Sequence, residues 1–341
     1  MNKNLKLAIV GASGAVGEVM LSILAEHGFH RQQVAALASS ASVGKSVEFG
    51  RHEITIDCLD DFDFATTDYA LFSAGAEVSA RYAPQAVAAG CTVIDNTSAF
   101  RLQADIPLIV PEVNGHLLRA FKQPGIIANP NCSTIQMLVA VAPIHQHFGI
   151  ERINVATYQA VSGAGRKAQE ELAKQALQKF NFQEIENTQF DQQMIFNVLP
   201  QIDVLEENGY SREEMKMHRE TQKILASDTV SVNATAVRVP VFFGHAEALH
   251  LETSKPFKLD TVEQLLQQAE GVEYIPNLNG ATHPTPVGHA AGADPVFVGR
   301  LRRDHSHSRG LNMWVVADNV RKGAALNAIQ IMQKLDALQS E

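Results

Sequence analysis

The stretch Leu5-Lys-Leu-Ala-Ile-Val10-Gly11-Ala-Ser-Gly14-Ala-Val-Gly17 decides the fold of the first part of the chain. It starts with an apolar run typical of a buried strand, and apolar residues then recur at helical spacing as far as Gly28. Glycines between a strand and a helix let backbone N–H groups hold a pyrophosphate, although a tight turn also needs small residues. The residues predicted to contact a dinucleotide are Gly11, Ser13, Gly14, Ala15 and Val16.

The segment after the second predicted strand bears on the type of dinucleotide. An NAD site usually has an Asp or Glu about twenty residues after the glycines, where it binds the ribose 2′-hydroxyl. Here the stretch Ala38-Ser-Ser-Ala-Ser-Val-Gly-Lys45 contains no carboxylate, so hydroxyls and Lys45 could hold a 2′-phosphate. This favours NADP, with Ser39 and Ser42 among the hydroxyl contacts, over the alternative of an ordinary polar loop.

The first 130 residues alternate short apolar strands with helical patterns. Such alternation predicts an α/β fold in which helices cross over a parallel sheet, a Rossmann-type dinucleotide-binding domain. The helical patterns cover 78–89 and 115–121. The predicted strands are Leu5 to Val10, Val34 to Ala38, Tyr69 to Ser73, Thr92 to Asp95, Leu108 to Val110 and Ile126 to Ala128.

The pattern changes after about residue 130, where a helix over 133–148 leads into longer strands. Long strands close together favour an α+β domain with a mostly antiparallel sheet. These strands are predicted over 153–161, 230–241, 246–253, 295–302 and 312–317, and further helices over 165–180, 212–226 and 320–338. The segment 183–203 has no regular pattern.

Composition excludes several classes of protein. The 341 residues carry 28 Lys and Arg against 37 Asp and Glu, and a formal charge of −9 argues against nucleic acid and anionic membranes as partners. The three cysteines are too few and too scattered for a disulfide framework or a zinc site, and no metal site is predicted. Met1 to Lys6 do not resemble a signal peptide, and no apolar run is long enough to span a membrane, so we expect a cytoplasmic protein.

One cysteine stands in a setting that suits chemistry. Cys132, in Pro130-Asn-Cys-Ser-Thr134, falls where a strand gives way to a long helix, and a helix N-terminus favours thiolate over thiol. A thiolate nucleophile needs a proton shuttle. Of the 13 histidines, His245 stands out because it follows the strand that starts near Arg238, and Glu247 could orient its ring. The alternatives are a buried structural cysteine and a structural or surface histidine.

Seven blocks in order carry a family resemblance over almost the whole chain. They are GASGAVG from Gly11, NTSAFR ending at Arg101, NPNCST around Cys132, TYQAVSGAG from Thr157, EEMK ending at Lys216, RVPV with GH ending at His245, and WVVADNVRKGAA from Trp314. In these blocks the sequence resembles the aspartate-semialdehyde dehydrogenase family. The resemblance implies NADPH-dependent reductive dephosphorylation of L-aspartyl-4-phosphate to aspartate 4-semialdehyde, a step towards lysine, threonine and methionine.

The resemblance also implies roles for individual residues. Cys132 would form a thioester, His245 would act as acid and base, and Gln159 would position the substrate and His245. The implied substrate-binding residues are Arg101 and Lys216 for the phosphate, Arg238 for the α-carboxylate, Glu213 for the ammonium group, and Asn131. The implied nicotinamide contacts are Ser162, Gly163 and Asn319.

The resemblance further implies the limits of two domains and the assembly, and it draws attention to one position at which this chain differs from many relatives. An NADP-binding domain of 1–130, completed by 319–341, would accompany a substrate-binding, catalytic and dimerisation domain of 131–318 in a homodimer or homotetramer. Many relatives carry an arginine where this chain has Ala41, so we expect weaker discrimination for NADPH. The alternatives are a catalytically silent paralogue and a related acyl-phosphate reductase, such as N-acetyl-glutamyl-phosphate reductase.

Overall fold

The computed structural model describes residues 5–276 and 283–339. The remaining positions, which belong to the predicted domain ranges and include the first part of the segment Met1 to Lys6, lie outside the described residues. The chain divides into two compact units, one of Met1–Asn131 with Ala324–Glu341 and one of Cys132–Gly323.

The secondary structure alternates along the first unit and becomes longer-stranded in the second. The strands are β1 Leu7–Val10, β2 Val34–Ala38, β3 Ser46–Phe49, β4 His52–Cys58, β5 Tyr69–Phe72, β6 Thr92–Asp95, β7 Ile126–Ala128, β8 Ile150–Gln159, β9 Ser231–Arg238, β10 His245–Thr253, β11 Val272–Tyr274, β12 Val296–Arg303 and β13 Gly310–Ala317. The α-helices are α1 Ala15–Glu26, α2 Ala76–Ala88, α3 Pro111–Asn114, α4 Cys132–Phe148, α5 Arg166–Phe180, α6 Arg212–Leu225, α7 Leu259–Gln268 and α8 Leu326–Gln339. Among the described helices, none is long and apolar enough to cross a lipid bilayer.

The first unit is built on a seven-stranded sheet in the order β3-β4-β2-β1-β5-β6-β7. Its strands run parallel except for the β3–β4 hairpin at the edge, which the sequence analysis missed. Helices α1 and α8 bury apolar side chains in the same core as β1 and β2. The predicted Rossmann-type α/β fold is confirmed.

Two predicted elements of the first unit differ in the structure. Leu108 to Val110 is not a strand. Within this segment only Leu108 forms a β-bridge, with Ala128. Pro111, which has no N–H to donate to a strand partner, then begins α3. The last helix is not one α-helix from Val320, because Arg321–Ala325 form a π-helical turn before α8.

The second unit contains a six-stranded sheet in the order β11-β12-β13-β10-β8-β9. Its central pairs are antiparallel, as predicted, but the outer pairs β11–β12 and β8–β9 are parallel, so the sheet is mixed. Side chains alternate along β8 and β10 between fully buried and partly exposed. Helix α4 packs against the strands of this sheet, and residues 183–203 contain no helix or strand.

Candidate active site

Three polar side chains form a row at the end of the six-stranded sheet. Strands β8 and β9 run parallel, and their register pairs Gln159 with Arg238 at the last residue of each. Strand β10 runs antiparallel to β8, and the pairing of Ala246 with Tyr158 brings His245 opposite Gln159. Because neighbours in register share a face, the fold brings Arg238, Gln159 and His245 together, all less than a tenth exposed.

The imidazole of His245 has a defined tautomer. The backbone N–H of Ala160 donates to its Nδ1 over 3.1 Å, so the proton of the neutral ring lies on Nε2. The Nε2 of Gln159 lies 3.3 Å away but donates to Oε1 of Glu213 over 3.1 Å. An amide nitrogen donates hydrogen bonds and does not accept them, so Gln159 Nε2 does not accept the proton on His245 Nε2. That proton can be donated to a reacting group.

Electrostatics keep this imidazole neutral. Complete burial and, after it, the nearby Arg238 guanidinium lower the pKa of His245 to about 3, although Glu213 opposes the shift. At neutral pH the ring is a hydrogen-bond donor and a latent base. It is not a permanent cation that could partner a thiolate.

Cys132 is the first residue of α4, where N–H groups at the helix terminus stabilise negative charge. Its side chain is partly exposed, and the charge of its thiolate form acts on the buried guanidinium of Arg238, whose pKa burial lowers. On the other side, a Cβ on Gly323 would lie 2.7 Å from the Cβ of Cys132. The thiol is thus influenced by a nearby cation, and its Cβ lies against a backbone that has no side chain.

Gly163 lies directly against Arg238 and His245. A Cβ at this position would lie 3.0 Å from Nη1 of Arg238 and 3.3 Å from Nε2 of His245. The guanidinium of Arg238 is also held by the backbone, because its Nη1 donates to the carbonyl of Ala160 over 2.7 Å. Only glycine leaves these two polar groups accessible from that side.

A charged cluster on α6 adjoins the row. The ammonium group of Lys216 donates to Oε2 of Glu213 at 3.0 Å and to Oδ2 of Asp203 at 3.1 Å. Burial lowers the pKa of Lys216, but the charges and hydrogen bonds of Glu213 and Asp203 have a larger opposite effect, so the pKa of this lysine is raised. Because Glu213 also accepts from Gln159, the cluster joins Lys216 to the row that holds His245.

Asn319 and Ser162 form a second polar pair in the same unit. The Asn319 Nδ2 lies 2.9 Å from the Ser162 hydroxyl oxygen, and its Oδ1 accepts from the N–H of Gly244 over 3.0 Å. Both side chains are almost fully buried. The amide of Asn319 is therefore oriented beside the turn that precedes His245.

The glycine turn of the first unit has the geometry that a pyrophosphate requires. Gly11 has φ +94°, and a Cβ there would lie 2.9 Å from the backbone nitrogen of Ala74. A Cβ on Gly17 would lie 2.2 Å from the carbonyl oxygen of Gly11, so the turn and α1 approach each other too closely for any side chain. Gly14, Ala15 and Val16 lie at the start of α1, where N–H groups have no partner within the helix.

The predicted 2′-phosphate segment lies beside this turn in the fold. The N–H groups of Gly11 and Ala12 donate to the carbonyl of Leu37 near the end of β2, and a short 3₁₀ turn over Ser40–Ser42 follows that strand. Ser39 and Ala41 are exposed and Ser42 is half-buried. Ser13 is half-buried in the glycine turn, so the turn and the segment together fit a dinucleotide.

The remaining predicted site residues belong to the first unit. Arg101 is buried, and its Nη2 donates to the carbonyl of Asn96 over 2.7 Å. Asn131 is also buried. In the described residues, no group of three or more His, Cys, Asp or Glu side chains is placed to hold a metal ion.

Sequence reasoning was wrong about what orients His245 and missed two supporting residues. The ring is held by the Ala160 N–H and not by Glu247, whose pKa burial raises well above its ordinary value. Thr157 was missed, although its hydroxyl donates to Oε1 of Gln159 over 3.1 Å. Its position two residues before Gln159 on one strand is the signal that could have identified it, because such residues share a face. Gly323 was also missed, and its contact with Cys132 has no local signal.

Comparison with known proteins shows which family this chain is similar to. Residues 6–121 match the family model described as semialdehyde dehydrogenase, NAD binding domain, and residues 141–322 match semialdehyde dehydrogenase, dimerisation domain. An aspartate-semialdehyde dehydrogenase of Legionella pneumophila is 54% identical over 98% of this chain and 96% of its own length. The crystal structure of aspartate semialdehyde dehydrogenase II from Vibrio cholerae, complexed with ASA, is 51% identical and covers 98% of this chain and 99% of its own, with a TM-score of 0.95.

These matches extend over both units and favour neither of the alternatives raised by the sequence. The resemblance carried by the seven blocks is confirmed. The chain belongs to the aspartate-semialdehyde dehydrogenase family.

Proposed function

We propose that this chain reduces L-aspartyl-4-phosphate to L-aspartate 4-semialdehyde with NADPH and releases phosphate, in the biosynthesis of lysine, threonine and methionine. One observation carries the proposal. The thiol that begins α4 is electrostatically coupled to buried Arg238, and the same unit holds a neutral His245 whose proton is on Nε2. Acyl transfer to a thiol needs a nucleophile stabilised as a thiolate and a proton donor, and this unit supplies both groups.

The chain's own residues account for the acyl transfer. The Cys132 thiolate attacks the acyl carbon, the bond from that carbon to the phosphate oxygen breaks, and a thioester and inorganic phosphate result. In the proposed pose, Nε2–H of His245 donates to the oxygen of the tetrahedral intermediate. Reduction by hydride converts the thioester into a thiohemiacetal. His245 then takes the proton of its hydroxyl group, the carbon–sulfur bond breaks with its electrons on Cys132 as a thiolate, and the aldehyde forms.

The substrate groups match the charges of the site. Arg238 provides a planar guanidinium for the α-carboxylate, and Glu213 provides a buried carboxylate for the α-ammonium. Gln159 positions both the substrate and His245. Lys216 and Arg101 bind the phosphate group, and Asn131, next to the nucleophile in sequence, completes the substrate-binding set.

The cofactor is NADPH, which supplies the hydride when bound. The turn with Gly11, Ser13, Gly14, Ala15 and Val16 binds the pyrophosphate, and Ser39, Ala41 and Ser42 line the 2′-phosphate position. Ser162, Gly163 and Asn319 contact the nicotinamide. The fixed amide of Asn319 and the open face at Gly163 support this assignment. Preference for NADP over NAD is supported by the absence of a carboxylate from Ala38 to Lys45.

The domain roles and assembly belong to the same proposal. Residues 1–130 with 319–341 bind NADP, and residues 131–318 bind substrate, carry the chemistry and form a homodimer. A homotetramer is the alternative. Cytoplasmic location is supported by the three cysteines, none of which forms a disulfide bond in the described part of the chain, as expected in a reducing compartment.

The reverse reaction tests the proposal. Purified protein with aspartate semialdehyde, NADP and phosphate should produce NADPH, and production should cease when phosphate is omitted. Cys132→Ser should abolish turnover while NADPH binding, measured by fluorescence, is retained. A silent protein would give no NADPH, and an N-acetyl-glutamyl-phosphate reductase would work equally well with the glutamyl analogue.

A further inference from the structure

Asp203 makes an ion pair with the lysine that the proposed function gives to the phosphate. Its Oδ2 accepts from Nζ of Lys216 at 3.1 Å, and its Oδ1 lies 3.8 Å from the guanidinium of Arg212. Glu213 accepts from the same ammonium group at 3.0 Å. One lysine therefore faces two carboxylates, and a phosphate that approaches this lysine must compete with them.

The two carboxylates differ in how firmly they are held. Glu213 is on α6, three residues before Lys216, its side chain is only 7% exposed, and it also accepts from Gln159. Asp203 ends an irregular segment, its side chain is 28% exposed, and its φ of +69° is a left-handed conformation that costs free energy in an L-residue. Asp203 is thus the carboxylate that can be displaced.

The irregular segment has anchors other than the Asp203 carboxylate, whose Oδ1 also accepts from the backbone N–H of Val204 over 2.8 Å. Its first part is tied to α5, where Oε2 of Glu171 accepts from the N–H of Thr188 over 2.9 Å. Its later part is tied to β9 by reciprocal backbone hydrogen bonds between Leu199 and Arg238 of 2.8 and 2.9 Å. The Asp203 side chain can therefore move away from Lys216 while the segment stays attached to α5 and β9.

Asp203 also adjoins space that an anion could enter. It lines a cavity of about 430 Å³ within the second unit, and Arg238 lines the same cavity. The carboxylate is thus placed between open space and the cluster on α6, on the side where the substrate arginine lies.

We propose that Asp203 determines the affinity of the phosphate site by acting as a displaceable counter-ion of Lys216. It neutralises the lysine when phosphate is absent, and phosphate must replace it. The inference rests on the proposed function, because it takes Lys216 as the phosphate-binding lysine. Asp203 would thereby favour a phosphate dianion over weaker monovalent anions and ease the departure of phosphate after acylation.

The test compares Asp203→Asn with the wild type in the phosphate-dependent direction at constant ionic strength. Asparagine keeps the shape and tolerates the left-handed conformation, but it removes the competing charge. We expect KM for phosphate to fall by about threefold or more, with KM for aspartate semialdehyde and NADP unchanged. An unchanged or increased KM for phosphate would overturn the proposal, the latter because it would make Asp203 a support that holds Lys216 in place.

A matched control separates this effect from the general loss of one negative charge. Glu206→Gln removes a carboxylate that pairs with Arg219 of the same helix α6 but does not contact Lys216. We expect it to leave KM for phosphate at the wild-type value. An equal decrease in both variants would contradict the proposal.

A second comparison tests whether the effect passes through Lys216. In a Lys216→Ala background, Asp203→Asn should no longer change KM for phosphate, because the ion pair is already absent. A persisting effect would overturn the proposal. Binding of inorganic phosphate, followed by phosphorus NMR on the whole protein, should be tighter in Asp203→Asn even without turnover. A wild type that binds phosphate without producing NADPH would refute the proposed function, whereas phosphate binding that Asp203→Asn does not change would refute the inference.

Discussion

Gly323, the last residue of the second unit, packs so closely against Cys132, its first residue, that a Cβ there would lie 2.7 Å from the cysteine Cβ. Real Cβ atoms do not approach each other so closely, so any side chain at 323 must move the start of α4 or the π-helical turn over Arg321–Ala325. The position of the proposed nucleophile therefore depends on a residue 191 positions away (323 − 132).

Gly323→Ala should consequently lower kcat by at least about tenfold, because small displacements of a nucleophile reduce rates steeply. Rates of the NADP-dependent reaction and thermal unfolding would be measured together. Gly288→Ala is a matched control, since it crowds Oγ1 of Thr285 at 2.8 Å in the other π-helical turn, Pro286–Ala290. The control should lose stability and keep kcat, and equal loss of kcat in both variants would refute a specific effect on Cys132.

Burial of His245 predicts a dependence of stability on pH. Its pKa is about 3 in the folded protein and about 6.5 when unfolded, so between these values the unfolded chain binds the extra proton. The free energy of unfolding should therefore fall as pH decreases through 6.5, by about 1.4 kcal/mol per pH unit from this group.

Urea unfolding at pH 7 and pH 5 checks this prediction. His245→Asn should lose about 2 kcal/mol less stability than the wild type over that interval, because the variant has no imidazole to protonate. His305→Asn, at an exposed position, is the control and should follow the wild type. A His245→Asn variant with the wild-type pH dependence would mean that the imidazole is not buried as a neutral group.

Local patterns predicted the fold well where one signal dominates. The glycine turn and the apolar strand before it define the first unit. The hairpin of Ser46–Phe49 and His52–Cys58 was missed because its strands are half polar at the edge of a sheet. Leu108 to Val110 resembles a strand in composition, but Pro111 on its C-terminal side prevents one from continuing.

The candidate site was predicted from family motifs, whereas its supports depend on tertiary contacts. Nothing local in the sequence signals that Asp203 pairs with Lys216, since the segment before it has no periodicity. The same holds for the backbone N–H of Ala160, which fixes the tautomer of His245 and carries no side-chain signal. Such contacts become visible only when the strands are in register.

Arg238 should affect both substrate binding and the thiol. Arg238→Lys removes the planar fork, so KM for aspartate semialdehyde should rise by roughly tenfold or more. Because the charge of the guanidinium acts on the Cys132 thiolate, Arg238→Gln, which removes that charge, should lower the rate of iodoacetamide alkylation at pH 7. Arg219→Lys, on a half-exposed pair with Glu206, is the control. An unchanged KM in Arg238→Lys would place the carboxylate site elsewhere.

Ala41 should limit the preference for NADPH. It is exposed in the turn after β2, where an arginine side chain could reach a 2′-phosphate. Ala41→Arg should raise the ratio of kcat/KM for NADPH over NADH by about tenfold, the value of one charge-assisted hydrogen bond. Val43→Arg adds the same charge at an exposed position of the same loop and should change the ratio less. Equal ratios in the wild type and Ala41→Arg would contradict the assignment.

The face of the six-stranded sheet opposite the buried row should form the subunit interface. Ala156 and Ala248 pair at its centre, and the neighbouring Trp314 ring lies 5.5 Å from that of Tyr158, which is 38% exposed. A cavity of about 700 Å³ opens there, lined in part by Ala156, Ala248 and Trp314. A partly apolar sheet face of this kind suits burial against a second copy.

Ala156→Arg should therefore shift the protein towards monomer, because a two-fold interface would bring the two new charges close together in a desolvated region. Light scattering after size exclusion measures the mass directly. Ala173→Arg, at an exposed position of α5, adds the same side chain outside this face and should leave the mass unchanged. A wild-type mass for Ala156→Arg would move the interface to another surface of the second unit.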